Sequence, residues 1–399
     1  MAAPTSKKPV ALDPMDLYGV RALLGEDERM VQDSVARLVD DKVLPIIREC
    51  FEQHRFPKEL VPELAALGLL GSSIEGYGCA GLNAVSYGLI CQELERGDSG
   101  VRSFVSVQSS LCMFPIHAFG SEAQKQQYLT HLASGKGLGA FGLTEPQAGS
   151  DAGATRTTAT KDGNSWVLNG AKMWITSGSI ADVVVATART IVDGHDKGIS
   201  CFIVEKGTRG FIPGKDEAKM GLKGSITSQL FFEDCRIPAE NILGDVGRGF
   251  KQMLVILDGR RISIGAMAQG LGEAALEAAT AYAKERIAFG HPIANYQAIQ
   301  WKIADSATLL EASRLLILQA AWLKDHKQPF SQEAAMAKLF ASEAAEKACF
   351  EAIQVFGGAG YSRDYPVERY YRDNRLTEIG EGTSEIMRLV IARHILRDI

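Results

Sequence analysis

The chain reads as an α+β protein in three blocks: an N-terminal helical domain, a middle antiparallel β domain and a C-terminal four-helix bundle. Three textures predict this. Apolar residues recur at helical spacing from about Glu26 to Gly135, β-branched and aromatic runs alternate with turn formers from Gly137, and long helical periods return from Phe250. The implied segmentation is a flexible lead-in over 1–25, a helical domain over 26–138, a β domain over 139–248 and a helical domain over 249–399.

In the first block Val31, Val35, Leu38, Val39 and the run Val43 to Ile47 form an apolar stripe that Pro45 should break. Further helices are expected over Lys58 to Leu67, Val85 to Leu94 and Glu122 to Leu132. In the second block, strands are expected at Trp166 to Leu168, Ala171 to Ile175, Asp182 to Arg189, Ile199 to Glu205 and Gln229 to Phe232. The separators Asp162-Gly163-Asn164, Asn169-Gly170 and Asp193-Gly194-His195-Asp196 have hairpin chemistry. In the third block, helices are expected over Gly259 to Arg286, Tyr296 to Lys324, Ser331 to Phe356 and Thr383 to Leu396, of the kind that pack as a bundle.

The 399 residues are 46% hydrophobic and 23% charged, enough for several cores. A net charge of -5 gives no field for nucleic acid or an anionic membrane, so a polyanionic ligand needs a local cluster of cations. Seven scattered cysteines without a C-x-x-C pair argue for free thiols in a reducing compartment and against a zinc site. No apolar run approaches the roughly 18 residues of a membrane span, and Met1 to Asp13 reads as a short flexible lead-in without a secretory core.

The chemistry-bearing residues are spread along the chain. Glu381 stands between Gly380 and Gly382, where the backbone can turn tightly and a ligand can approach, and Thr383 can cap the helix carrying Ile386, Leu389, Val390 and Ile391. A general base needs that placement, although a surface glutamate at a helix N-terminus is favoured by the macrodipole as well. Phe141-Gly142-Leu143-Thr144-Glu145-Pro146 offers small residues, hydroxyls and free N–H groups to a flat heteroaromatic ligand, or is an ordinary Pro/Gly turn. Trp174 and Thr176 fall on one face of a strand. Arg261 and Arg286 can bind phosphates through paired donors, or solvate helix surfaces. Phe356-Gly357-Gly358-Ala359-Gly360 permits close ligand approach but equally suits a plain C-cap.

Taken together and in order, the Thr-Glu-Pro loop, the Trp-Ile-Thr strand, the Arg-x-x-Phe-Gly segment, the Phe-Gly-Gly-x-Gly turn and Glu-Gly-Thr-Ser resemble the acyl-CoA dehydrogenase family from about Glu26 to Arg397. The resemblance implies FAD as cofactor, a homotetramer, an electron-transfer flavoprotein as acceptor, and a cytoplasmic or, in a eukaryote, mitochondrial-matrix location. It implies that Phe141, Leu143, Thr144, Trp174, Ile175 and Thr176 line the flavin, and that Arg286, Phe289, Gln297, Gln354, Gly357, Gly358 and Thr383 hold its diphosphate and adenosine, partly across a subunit contact. Ser150, Asp258, Arg261 and Gly382 match substrate-contacting positions.

Glu381 matches the catalytic base, which would remove the α-proton of a thioester while the β-carbon yields hydride to flavin N5. Some members place the base just before the arginine of Asp-x-x-Arg; here that position is Arg260, which cannot be a base at neutral pH.

A narrower resemblance, to glutaryl-CoA dehydrogenases, rests on Gly76-Tyr77-Gly78-Cys79-Ala80-Gly81 and on Glu93 to Ser103 followed by Ser106 to Leu111. It implies that Glu95, Arg102, Ser103 and Ser106 surround a distal acyl carboxylate; an Arg102 ion pair with Asp98 or Glu95 is the plainer alternative. Gly380 replaces the tyrosine expected before the base and Gly97 a larger residue near the acyl pocket; both changes enlarge the pocket or remove a hydroxyl, and leave open whether a bound glutaryl group is decarboxylated or a bulkier dicarboxylic chain is preferred. The C-terminal quarter resembles short-chain and branched-chain enzymes instead. An oxidase, or an acyl-carrier-binding protein without redox chemistry, would use the same scaffold.

Overall fold

The computed structural model describes residues 15–396, so the lead-in expected over Met1 to Asp13 lies outside the described residues. The N-terminal block contains α1 (Glu26–Leu38), α2 (Leu44–Glu52), α3 (Val61–Ala66), α4 (Ala84–Gly97), α5 (Ser99–Ser106), α6 (Phe114–Phe119) and α7 (Glu122–Ala133). Val35, Val39, Val43 and Ile47 are buried as one stripe. Pro45 does not break it: a π-helical turn over Val39–Val43 joins α1 to α2, and Pro45 sits in the first turn of α2, where its missing N–H has no partner to lose. The described end of the lead-in is also fastened. Leu17 N donates to Glu311 Oε1 at 3.0 Å and Arg314 pairs with Asp16 at 3.0 Å.

The middle block is one eight-stranded sheet: β1 (Gly139–Gly142), β2 (Thr158–Asp162), β3 (Ser165–Thr176), β4 (Val183–Val192), β5 (His195–Glu205), β6 (Phe211–Asp216), β7 (Thr227–Pro238) and β8 (Ile242–Leu243), in the order β6-β7-β3-β2-β4-β5-β8 with β1 also on β4. Two expectations fail here. The sheet is mixed, because β1 and β2 both run parallel to β4. Asn169-Gly170 is no hairpin turn: β3 runs straight through it with a register shift against β7 between Leu168 and Gly170, so the glycine serves a bulge. The other turns behave as their residues dictate, Asp193 and Gly194 both taking positive φ between Val192 and its partner His195.

The C-terminal block holds α8 (Gly249–Glu285), a two-stranded ribbon of β9 (Ile287–Ala288) and β10 (His291–Pro292), α9 (Gln297–Asp325), α10 (Ser331–Phe356), α11 (Gly358–Tyr361), α12 (Val367–Asn374) and α13 (Ser384–Ile395). The helix expected from Gly259 begins at Gly249, where a Cβ would lie 2.6 Å from the Ser200 carbonyl carbon of β5, and its first turns bury Gln252, Met253 and Ile256 on one side. α10 packs on α8, α9 and α13, with Ala334, Ala337, Ala341, Ala345 and Ala348 buried between them.

The first and third blocks meet at α4 and α8. A Cβ on Gly270 would lie 2.3 Å from the Gln92 carbonyl oxygen, so only glycine permits this backbone approach. Asp325, the last residue of α9, accepts hydrogen bonds from the Ala84 and Val85 N–H groups and thereby caps α4.

The loop leaving β1 is stapled to the sheet by buried charge. Lys172 Nζ lies 2.7 Å from Glu145 and donates to the Leu143 carbonyl and the Thr187 hydroxyl, while Glu145 also accepts from the N–H groups of Arg156 and Thr157. Burial alone would raise the Glu145 carboxyl, but Lys172 and these donors hold it down to about 2. Lys172→Met therefore strands a buried carboxylate, with an expected loss of about 3–5 kcal/mol. Calorimetric unfolding should show a lowered Tm, partly restored in Lys172→Met with Glu145→Gln; an unchanged Tm in the single variant would rule out the staple.

Candidate active site

Glu381 is carried on a turn between the 3-10 segment Arg375–Glu378 and α13. Its φ is +58°, a left-handed conformation that costs a glutamate roughly 1–3 kcal/mol and persists only where its surroundings impose it. Four contacts do so. The N–H groups of Ile379 and Gly380 both donate to the Leu376 carbonyl, Lys338 Nζ donates to the Gly382 carbonyl at 2.6 Å, and Thr383 caps α13 by accepting from Ile386 N. Gly382 has φ +96°, a conformation that side-chain-bearing residues rarely adopt. Lys338 is fully buried; desolvation pulls its ammonium down to about 8, against the pull of Glu381 and Glu378.

The Glu381 side chain is 19% exposed and meets a buried cation: Arg260 Nη2 lies 2.7 Å from Glu381 Oε1. The guanidinium is anchored on its other arm, where Nη1 donates to the Ser106 carbonyl at 3.2 Å and the Ser110 hydroxyl at 3.0 Å. Both acceptors sit where α5 passes into a second π-helical turn, Val107–Met113. Such a turn re-aims side chains inside a helix and often marks a functional site. Tyr87 of α4 donates its hydroxyl to Ser106 and Ser110, and burial pushes that phenol up to about 12. Glu381 Oε2 is left buried with no partner.

A second buried arginine lies in the same region. Arg102 Nη2 donates to the Ser263 carbonyl at 3.0 Å, and its Nε stands 3.6 Å from Glu95 Oε2, too long for a hydrogen bond. Neither Glu95 oxygen nor Arg102 Nε has a hydrogen-bond partner. Burial raises the Glu95 carboxyl to about 8 in spite of Arg102. Of the two ion pairs weighed for Arg102, the one with Glu95 is present at 3.6 Å and the one with Asp98 is not; Asp98 instead caps α5 by accepting from Val101 N. Ser103 and Ser106 are buried beside Arg102 on α5, so the four positions gathered by the narrower resemblance do share one buried region.

The other expected residues fall into three groups. Thr144 accepts a hydrogen bond from Met173 N at 2.8 Å, which ties the loop to β3 next to Trp174. Trp174 is 53% exposed at φ +61°, with Leu143, Thr144 and Thr176 partly exposed around it. Phe141 and Ile175 differ: their side chains are buried in the sheet core, leaving only backbone for a ligand. The second group, Arg286, Phe289, Gln297, Gln354, Gly357 and Gly358, is exposed at one end of the helical block, where Tyr282 stacks on Phe356 at 4.1 Å and joins the ends of α8 and α10. Thr383 stays with the Glu381 turn as the α13 cap, rather than at this end.

Third, Arg261 pairs with Asp258 at 2.6 Å and reaches Ser331, while Ser150 is exposed on the loop after Gly149.

A flat ligand fits these surfaces. Trp174 presents a half-exposed ring held by strained backbone, a Cβ at Gly357 or Gly358 would meet nothing, and Phe289 is 94% exposed, with Arg286 three residues before it exposed as well. Fold and site thus combine an exposed aromatic platform on the sheet with a carboxylate that has one buried, unpartnered oxygen.

The chain belongs to the acyl-CoA dehydrogenase family: it matches that family's N-terminal domain over residues 25–136, its middle domain over 140–235 and its C-terminal domain over 247–396. It is an acyl-CoA dehydrogenase with FAD as its cofactor. It is 47% identical to the mitochondrial short-chain specific acyl-CoA dehydrogenase of Rattus norvegicus over 94% of this chain and 91% of that one. The butyryl-CoA dehydrogenase of Megasphaera elsdenii superposes with a TM-score of 0.90 at 42% identity, covering 94% of this chain and 99% of that one. A glutaryl-CoA dehydrogenase of Mycobacterium smegmatis in complex with FADH2 gives 0.93 at 39% identity, covering 97% and 99%.

Lys338, and the pairing of Arg260 with Glu381, are what pattern reading passes over. Each carries a signal: Arg260 adjoins Arg261 about 100° round the helix, so the two arginines meet different neighbours, while Lys338 lies among alanines at core spacing.

The raised Glu95 carboxyl carries a sign. A group ordinarily at 4.5 and held at about 8 in the fold binds more protons folded than unfolded between those values, so its stabilising contribution is present below 4.5 and is lost as pH rises through 8. Glu95→Gln should therefore gain Tm relative to the parent progressively from pH 5 to pH 8.5. A Tm difference that is flat across this range would mean Glu95 is ionised in the fold.

Proposed function

We propose that this enzyme dehydrogenates a short acyl-CoA thioester at its α and β carbons with Glu381 as the base, and that the acyl chain ends in a second carboxylate, as in a glutaryl group. The observation that carries the base assignment is the division of labour within one carboxylate. Oε1 is held by Arg260 and Oε2 is buried, unpartnered and available to accept a proton. A thioester α-proton is too weakly acidic for a carboxylate in water, so the site must stabilise the developing enolate oxygen and exclude solvent. The Glu381 backbone N–H supplies one donor to that oxygen; its left-handed φ and the Lys338 anchor fix where the donor points.

FAD, when bound, supplies the acceptor for the β-hydride. Thr144, Trp174 and Thr176 would hold its ring system, and Arg286, Phe289, Gln297, Gln354 and Gly357 to Gly358 its diphosphate and adenosine. Asp258 and Arg261 would meet the CoA portion together with Ser150. Electrons would leave through an electron-transfer flavoprotein. Subunits would associate as homotetramers, a reading supported by the exposed Phe289 in the β9–β10 turn and the exposed Trp301, Trp322 and Phe350 on α9 and α10.

The terminal carboxylate is supported by two buried arginines of this region, Arg102 and Arg260, each with an unpartnered Nε. A guanidinium in that position needs an anion. A monocarboxylic short chain is the second reading, favoured by the short-chain specificity in the rat relative's name.

Glu381→Gln should keep its yellow colour and bind acyl-CoA, yet fail to bleach anaerobically with any thioester. Bleaching at the parental rate would refute the base assignment. With the parental enzyme glutaryl-CoA should bleach the flavin at least about tenfold more efficiently than butyryl-CoA, the lower end of what a hydrogen bond to a charged group contributes; preference for butyryl-CoA would establish the second reading.

A further inference from the structure

Arg260 occupies a peculiar place in this chemistry. It is 3% exposed and closes on the oxygen partner of the very atom that must take a proton. Once Glu381 is protonated it no longer neutralises the guanidinium, and an uncompensated cation in a buried site costs several kcal/mol. An acyl chain without charge gives no relief, so proton removal from such a chain would work against the ion pair.

Resting on the reading of Glu381 as base, we propose that Arg260 is a substrate-released latch: the second carboxylate of the acyl chain takes the place of Glu381 on the Arg260 guanidinium, freeing the base as it selects the substrate. No bond is made or broken in this exchange. One carboxylate leaves Nη2 and another arrives, so the guanidinium stays paired before and after the α-proton passes to Glu381.

Three features of the site support the exchange. The guanidinium is anchored independently of Glu381, since Nη1 is held by the Ser106 carbonyl and the Ser110 hydroxyl and stays in place when Glu381 departs. Its Nε is buried without a partner, as is Nε of Arg102, so two orphaned N–H donors already await an anion in this region. The available carboxylate, Glu95, is directed to Arg102. The ligand class follows: a short thioester with its second carboxylate near the β-carbon, close enough to reach Arg260 while the α-carbon faces Glu381.

The test compares the parent, Arg260→Gln and Arg260→Lys, each as FAD-loaded enzyme with Tm checked, in anaerobic bleaching by glutaryl-CoA, methylsuccinyl-CoA and butyryl-CoA. The latch predicts opposite signs for the two substrate types. In Arg260→Gln, kcat/KM for at least one dicarboxylic thioester should fall about 100-fold, the size expected when one partner of a buried charge pair is removed, while kcat for butyryl-CoA should rise. Arg260→Lys, which keeps the charge, should recover part of the dicarboxylic preference. Equal losses on all three substrates, no change on any, or a parent that does not distinguish dicarboxylic from monocarboxylic chains would each overturn the latch while leaving Glu381 as base. Failure of the base assignment itself shows differently, as bleaching in Glu381→Gln.

Discussion

The ion pair between Arg260 and Glu381 is the interaction around which the site is organised. At 2.7 Å and largely out of water it is strong only because each partner has further support, the arginine from Ser106 and Ser110 and the glutamate from its imposed backbone turn. A buried pair of this kind contributes little net stability, because desolvation offsets the attraction. Before substrate arrives its value is positional. It points one carboxylate oxygen at a cation and leaves the other unpartnered, an arrangement that an exposed glutamate with free rotamers would not keep.

The fold makes that arrangement possible by bringing together segments far apart in the chain. Arg260 comes from α8, its serine anchors from the junction of α5 with a π-helical turn, and Glu381 from the turn before α13. Close approach of α4 to α8 at Gly270 brings the first helical block against the third, and alanines let α10 lie close enough for Lys338 to reach the Gly382 carbonyl. The sheet contributes a separate surface, with the Thr144 loop stapled by Lys172 and Glu145 beside Trp174. Each element is thus explained by what it holds still.

Much of this is legible in the chain. Long helices with a single period, such as Ser331 to Phe356, and turns such as Asp193-Gly194 declare themselves through local chemistry, and Glu381 is marked by its two glycines and a capping threonine. Features that depend on tertiary packing are not. Asn169-Gly170 carries hairpin chemistry, yet pairing of β3 with β7 on both sides of it keeps the strand continuous. Pro45 reads as a break until the π-helical turn before it is seen to absorb the change of direction. Arg260 is excluded as a base by residue type alone, but its role needs Glu381 beside it, and nothing local links positions so far apart.

The most direct measurement is a crystal structure of the FAD-loaded enzyme with a non-oxidisable thioether analogue of glutaryl-CoA. The account predicts Glu381 Oε2 against the α-carbon and the analogue's terminal carboxylate on Arg260, with Ser106 and Ser110 still holding Nη1. A complex in which Glu381 turns away from the α-carbon, or another acidic group stands there, would contradict it.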